Sequence, residues 1–405
     1  MKDLCSYYEE IALSHGKRVA DEVKNLNTLF GDSIYEWLAG LWSGEYGGFY
    51  YSNSARDNEG FWPDIESTAQ AVGCLESLGI ITEKTPVPLD MQRKIIRFMQ
   101  EKQDPEDGYF YHKQWGKDIG TSRRGRDLGN AVSIIKRFGQ EPLYPTATER
   151  IAKAFSLGAA DEKSSTVPEH LRSKKAFIEY LDSLNINAVN KPGNSYWAGH
   201  TVGQQTAEIK AAGLDGVCAD YLTSKQRPNG FWEDELNHST SSGAMKISCA
   251  YLSLGKTFPN IMNTFKSALE VLLSDCPLGS ITSVFNPPFT LLNLIETMEK
   301  LGDRDNVDAA KAILKEKAAE ILRLTYDRLL KFKKPDGSFS YCENCSSFWS
   351  QGKPVCIENS YESDVNANAL ACGSKRRTLL ILDIGTPTIY DESDAERFYK
   401  LCKEK

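Results

Sequence analysis

A short phrase of glycine and aromatic residues recurs along this 405-residue chain and restricts its fold more than any other feature. It reads Glu59-Gly60-Phe61-Trp62, Asp107-Gly108-Tyr109-Phe110, Asn229-Gly230-Phe231-Trp232 and Asp336-Gly337-Ser338-Phe339. An acidic or amide residue beside glycine is turn chemistry, and the aromatic that follows can pack under the turn and anchor the next helix. After several copies comes a hydroxyl-rich stretch, then an apolar run of helical period closed by Leu-Gly or its like. Ser67-Thr68-Ala69 leads to Leu78-Gly79, and Ser239-Thr240-Ser241 leads to Leu254-Gly255. The closing glycine suits a helix C-cap, where φ is positive and a Cβ clashes. Weaker copies run from Tyr109-Phe110 to Phe138-Gly139, Tyr196-Trp197 to Ala212-Gly213, Phe285-Asn286-Pro287 to Leu301-Gly302 and Phe339 to Ile384-Gly385, which makes six units.

Between the phrases lie further segments of helical period: Met91 to Glu101, Glu149 to Leu157, Lys174 to Leu184, Phe265 to Ser274 and Ala309 to Phe332. Ile95, Phe98 and Met99 illustrate the spacing. Alternating strand patterns are scarce. Two helices in each of six units predict an all-α chain, an (α/α)6 toroid or barrel of inner and outer helices. A lone helical hairpin cannot bury both faces, whereas a closed ring can. The reading is one domain over 1–405, with a loop-rich insertion at about 341–361 that is long enough to lie over a pocket as a lid. Two ordinary globular domains are the alternative, because the stretch from Leu143 to Pro192 is the least repetitive.

Composition narrows the function classes. Asp and Glu outnumber Lys and Arg by 55 to 48, a net charge of −7 with a pI near 5.5, so a chain-wide basic field for nucleic acid is absent. Hydrophobic residues at 41% and charged residues at 25% fit a folded globular chain. No stretch reaches the ~18 consecutive apolar residues of a membrane span, and Met1-Lys2-Asp3-Leu4-Cys5 is not a secretory leader. With ten cysteines spread along the chain, reduced thiols and a cytoplasmic location are expected.

Gln226-Arg227-Pro228-Asn229-Gly230-Phe231-Trp232 resembles the glutamine–tryptophan repeat of the terpenoid cyclase and protein prenyltransferase toroid superfamily. Gln103 to Tyr109 is a copy with one extra residue, and Lys334 to Phe339 lacks the glutamine. The likeness covers roughly Tyr35 to Gly385. It implies the toroid fold and says far less of function, since that architecture hosts cyclases, prenyltransferases, glycosidases and lyases. Asp64-Ile65-Glu66-Ser67-Thr68-Ala69 has the frame of the class II cyclase acid motif, with Glu and Ser in the second and third acidic places, and Asp364 to Ala369 keeps only the first Asp. The resemblance puts Glu66 where that family's proton donor stands. The prenyltransferase zinc set and the thioester motif are not recognisable.

The segments after the aromatic phrases are strongly polar, which suits a polyol better than a hydrocarbon cation. Asp64 and Glu66 are candidate general acids, and Glu233 and Asp234 the opposing base across a glycosidic bond; helix capping is the competing role for both groups. Arg123, Arg124 and Arg126 can clamp a carboxylate such as a uronate, or form salt bridges on a solvated loop. A lyase needs a base and a group neutralising the uronate, so His200, Tyr196 and Arg126 form a rival set. His112, His238, Trp115, Trp197 and Trp349 are candidate substrate contacts, whereas Trp62 and Trp232 fit turn anchors. Cys342, Cys345, Cys356 and Cys372 can be free thiols or a zinc site; no other cofactor is expected. The expected partner is a small saccharide or glycoside. The function predicted is cleavage of a glycosidic bond by a glycoside hydrolase or lyase. The alternatives are an isoprenoid enzyme of the cyclase or prenyltransferase type and a non-catalytic toroid that grips a peptide or partner.

Overall fold

The phrase glycines adopt the left-handed turn that their sequence predicts, with φ of +91° at Gly60, +78° at Gly108, +86° at Gly230 and +82° at Gly337. At Gly230 a side chain is also excluded by space, because a Cβ would sit 2.3 Å from the backbone nitrogen of Thr264. Gly79 and Gly255 close their helices in the left-handed conformation as expected. The last unit differs: its helix ends at Ile381 with Leu382 as the cap, and Asp383 rather than Gly385 carries the positive φ, +54°. An aspartate tolerates that conformation because its short polar side chain bonds locally.

The computed structural model describes residues 4–157, 167–187, 194–256, 258–387 and 389–404. Helices dominate it. In chain order they are α1 (Cys5–His15), α2 (Lys17–Thr28), α3 (Ser33–Leu41), α4 (Asn53–Asp57), α5 (Ile65–Leu78) and α6 (Leu89–Gln100). Next come α7 (Thr121–Arg137), α8 (Ala147–Ser156), α9 (Lys174–Ser183), α10 (Asn194–Gly203), α11 (Thr206–Ala211) and α12 (Asp215–Ser224). The chain continues through α13 (His238–Leu254), α14 (Ile261–Leu273), α15 (Thr282–Lys300), α16 (Arg304–Phe332), α17 (Val365–Ile381) and α18 (Glu392–Lys403). Among the described residues the strands form two antiparallel two-residue pairs, β1 (Trp42–Ser43) with β2 (Gly48–Phe49) and β3 (Trp349–Ser350) with β4 (Lys353–Pro354). No described helix is long and apolar enough to cross a membrane.

Packing follows the repeat. Helix α5 lies against α7, α7 against α10, α10 against α13, α13 against α15, α15 against α17, and α17 returns to α5. Of these six, α5, α7, α13 and α17 follow turn phrases, whereas the weaker copies Tyr196-Trp197 and Phe285-Asn286-Pro287 fall inside α10 and α15 instead of in turns before them. Others cover them from behind: α6 packs on α7, α12 on α13, α14 on α15, and α16 on both α15 and α17. Small residues set the approach between α10 and α13. A Cβ on Gly243 would fall 1.6 Å from Ser195 Oγ, and one on Gly199 would fall 2.8 Å from an Ile247 side-chain carbon.

Of the two expected turn anchors, Trp232 is fully buried, and its indole N–H donates to the Leu222 carbonyl at 2.9 Å. Trp62 is not an anchor and stands 44% exposed. The Gly60 turn forms without it, and Pro63 and the Asp64 cap then lead the chain straight into α5.

Candidate functional site

Helix α5 begins at Asp64, whose carboxylate accepts from Ser67 N at 2.9 Å and Ser67 Oγ at 2.6 Å, the expected capping geometry. Asp364 begins α17 in the same way, accepting from Ala367 N at 2.7 Å. One turn inside α5, Glu66 is buried and surrounded by donors. Arg126 Nε lies 2.6 Å from Oε1, and Arg123 Nη1 3.3 Å and Ser350 Oγ 2.7 Å from Oε2. Burial by itself would raise the pKa of this carboxyl; Arg126 and Arg123 outweigh that and hold it below the ordinary value. Glu66 is therefore a carboxylate at neutral pH and has no proton to give in this arrangement.

Arg123 is the hub. It is fully buried, joins Asp127 at 2.9 Å, Asp64 at 3.2 Å and Glu66, and stacks 4.2 Å from the Trp115 ring. This contact explains the unusual Arg123-Arg124-Gly125-Arg126-Asp127 run: Arg123 faces inward, and Arg124 lies over Tyr109 at 4.8 Å and lines a separate surface groove. Three carboxylates share two guanidiniums here. Burial pushes Asp127 up to about 7 despite Arg123, and its Oδ1 has no partner among the described residues. His112 accepts from Ile65 N at 3.3 Å and is held neutral by burial and by the charges of Arg123 and Lys102. Asp64, Arg123, His112 and Trp115 thus form a structural cluster off the wall of the central hollow.

That hollow, about 890 Å³, is lined by all six mutually packed helices. Arg126, Tyr196 and His200 all face it. His200 stacks parallel on Tyr196 with centroids 6.0 Å apart, and its Nε2 shares a hydrogen bond with Ser122 Oγ, which also donates to Gln351 Oε1 at 2.7 Å. The buried Nδ1 of His200 has no partner among the described residues. Burial, followed by Lys246 and Arg126, lowers its pKa to about 3. The cations Lys246, Arg376 and Arg377 complete a positive wall, with Arg377 lying 3.9 Å from the Phe289 ring.

Other predicted site residues lie elsewhere. Glu233 accepts from Ser195 N at 3.1 Å at the start of α10 and does not line the hollow; burial raises its pKa. Asp234 is exposed beside Arg227 at 3.8 Å. A pair of carboxylates facing each other across the hollow is therefore not assembled, because each serves its own helix start or loop. His238 is buried at the start of α13, off the wall. Trp197 and Trp349 are 58% and 50% exposed, outside the lining.

The four thiols do not converge. Cys372 Sγ lies 3.4 Å from Cys74 Sγ, Cys356 Sγ sits beside Ser346 Oγ at 3.6 Å, and Cys342 is next to Cys345. Among the described residues no group of His, Cys, Asp or Glu is arranged to hold a metal ion.

The 341–361 segment borders the hollow through Tyr341 and Gln351. Ser350 holds Glu66, Gln351 holds Ser122 and lines the wall, and Lys353 Nζ donates to the Asp118 carbonyl at 3.0 Å. Lys246, Ser122, Gln351, Arg376 and Arg377 were not found by reading the sequence. One signal for Lys246 was available: it is the single Lys, Arg, Asp or Glu between His238 and Leu254. A scan against protein-family models finds no match, and a search of curated proteins finds no matching relative.

Proposed function

We propose that this chain is a single (α/α)6 toroid and a carbohydrate-active enzyme that cleaves a uronate-bearing saccharide by β-elimination in its central hollow. The observation that carries the reading is the wall itself: Arg126, Tyr196 and His200 face one cavity together with Arg376 and Arg377. Support for the toroid comes from the circle of neighbours that returns from α17 to α5.

Elimination needs a cation to neutralise the uronate carboxylate, a base to take the adjacent C–H proton, and an acid for the departing oxygen. In this reading Arg126 is the neutralising group, and Tyr196 and His200 move the protons. The low pKa of His200 arises from burial and then from Lys246 and Arg126, so an anionic substrate arriving beside those cations raises it toward a useful range. Hydrolysis is disfavoured, since it needs two carboxylates flanking the bond, and Glu66 is held ionised by guanidiniums while Glu233 is off the wall. A cationic wall also works against a carbocation, which sets the isoprenoid alternative behind. An open hollow of this size is unlike a filled ring whose outer groove does the binding.

The test is incubation of the purified protein with a panel of uronate polymers and oligomers, such as polygalacturonate, alginate and hyaluronan. Elimination creates a conjugated unsaturated uronate with its own ultraviolet absorbance. Release of reducing ends without that absorbance means hydrolysis and refutes the elimination step. No cleavage of any uronate refutes the substrate class.

A further inference from the structure

Among the described residues lining the hollow, Lys246 is the one lysine, beside four arginines. Arg126 is paired with Glu66, whereas Lys246 has no ion pair or hydrogen bond among the described residues; its ammonium lies 5.5 Å from the centre of the Tyr196 ring. Its stem is fixed by α10, whose backbone comes so close that a Cβ on Gly199 would stand 2.9 Å from Lys246 Cβ. Lys246 lines the cavity together with Tyr196, the ring its ammonium stands over. The charged and titratable groups around it are Arg126 on α7, Tyr196 and His200 on α10, Cys249 one turn along α13, and Glu66 on α5, which is already held by two guanidiniums. Arg376 and Arg377 line the same cavity from α17.

We propose that the central hollow is an imine-forming site for a carboxylate-bearing aldehyde or ketone, with the Lys246 amine as its nucleophile. Three features meet in this residue: a fixed stem, an amine unpaired by any carboxylate, and neighbouring guanidiniums that can hold the ligand's acid group. Burial and then Arg126 lower the amine to about 8, so a sizeable neutral fraction exists near neutral pH. In the reaction the nitrogen lone pair forms a bond to the carbonyl carbon, and the carbonyl π pair moves to oxygen. The two amine protons leave with that oxygen as water, and the nitrogen pair closes the C=N bond. The open-chain form of a uronic acid belongs to this ligand class. The inference shares with the elimination reading the hollow, its guanidiniums and the acidity of the ligand, but not the chemistry.

The experiment uses the full chain at pH 7.5 with limiting glyoxylate and sodium cyanoborohydride, which delivers hydride to the imine carbon and fixes the adduct. Peptide mass spectrometry then compares Lys246 with the exposed Lys175, whose side chain is 87% accessible. An amine near 8 is about a quarter neutral at that pH and an ordinary lysine near 10.4 about a thousandth, a ratio of roughly 200. The lower nucleophilicity of a weaker base reduces this advantage, so at least about a tenfold preference for Lys246 is expected. Propionaldehyde, which lacks the acid group, keeps the share of the preference that comes from the neutral amine and loses the share that the guanidiniums add, so the preference with glyoxylate is expected to be the larger of the two. Labelling of Lys246 no faster than Lys175, or equal preference with both aldehydes, overturns the proposal. Lys246→Arg, which keeps the charge, must abolish the preferred adduct. The uronate cleavage assay is scored separately: cleavage without Lys246 labelling sinks this inference alone, and labelling without cleavage sinks the elimination reading alone.

Discussion

Replacing Arg123 with methionine keeps the length and much of the volume of the side chain and removes its charge. The substitution leaves Asp64, Glu66 and Asp127 buried, with Arg126 as the guanidinium still at the cluster. Breaking a buried ion pair from one side costs about 3–5 kcal/mol, mostly as the uncompensated charge left behind. For a 405-residue chain an unfolding entropy of about 2.1 cal/mol/K per residue gives ~0.85 kcal/mol per degree, so Tm falls by about 4–6 °C. The pH dependence has a definite sign. A buried carboxyl whose folded pKa exceeds its unfolded value contributes stability below the unfolded value and loses it as pH rises through the folded one. Asp127 already stands at about 7 in the native cluster; Arg123 lowers both it and Glu66, so loss of Arg123 raises both. The deficit is therefore largest at pH 8 and shrinks toward pH 5, where the carboxyls take up protons. Differential scanning calorimetry of wild type, Arg123→Met and Arg123→Lys at pH 5, 6.5 and 8 reads this directly, with the lysine variant intermediate. A Tm within about 1 °C of wild type, or a deficit that acidification leaves unchanged, would refute the account of the cluster.

Asp64→Ala removes the α5 cap and two hydrogen bonds to Ser67; urea denaturation should show a loss of about 1–2 kcal/mol, beyond which the Arg123 contact adds its own share. Gly243→Ala forces α13 off α10, since the new methyl falls on Ser195, and about 1–3 kcal/mol should be lost in the same assay. Arg126→Gln should reduce turnover of any uronate substrate far more than it reduces Tm, because Arg126 faces the hollow and Arg123 still holds Glu66. Metal analysis of the purified chain should give well under one zinc per molecule, as Cys372 and Cys356 are occupied with different neighbours; stoichiometric zinc would contradict the placement of these thiols.

The turns were the most legible part of the sequence. Asp or Asn before Gly, and Leu before Gly, mark positions where only a few residue types tolerate the backbone, so Gly79, Gly108, Gly230 and Gly255 could be read one by one. The outer helix α6 was equally plain, because one face meets solvent and Ile95, Phe98 and Met99 repeat at the helical spacing. Hollow-lining helices such as α13 and α17 are buried along most of their circumference, which erases that contrast. Which polar residue faces the hollow is then a matter of rotation about the helix axis, and local sequence does not encode it strongly. Arg123 and Arg126 are three residues apart on one helix, yet one closes a buried cluster and the other faces the hollow. The sequence read them as equivalent members of one clamp. Glu233 and Asp234 were paired with Asp64 and Glu66 by analogy between repeat units, and the units diverge in what their carboxylates bond.

The hairpin of β3 and β4 touches the ionised carboxylate of α5 through a single hydroxyl, Ser350 to Glu66. That bond couples the hairpin's position to the acidity of the carboxylate. Any displacement of Ser350 withdraws a donor from the anion and so raises the proton affinity of Glu66. By the same linkage, a proton on Glu66 loosens the hold of the hairpin on α5.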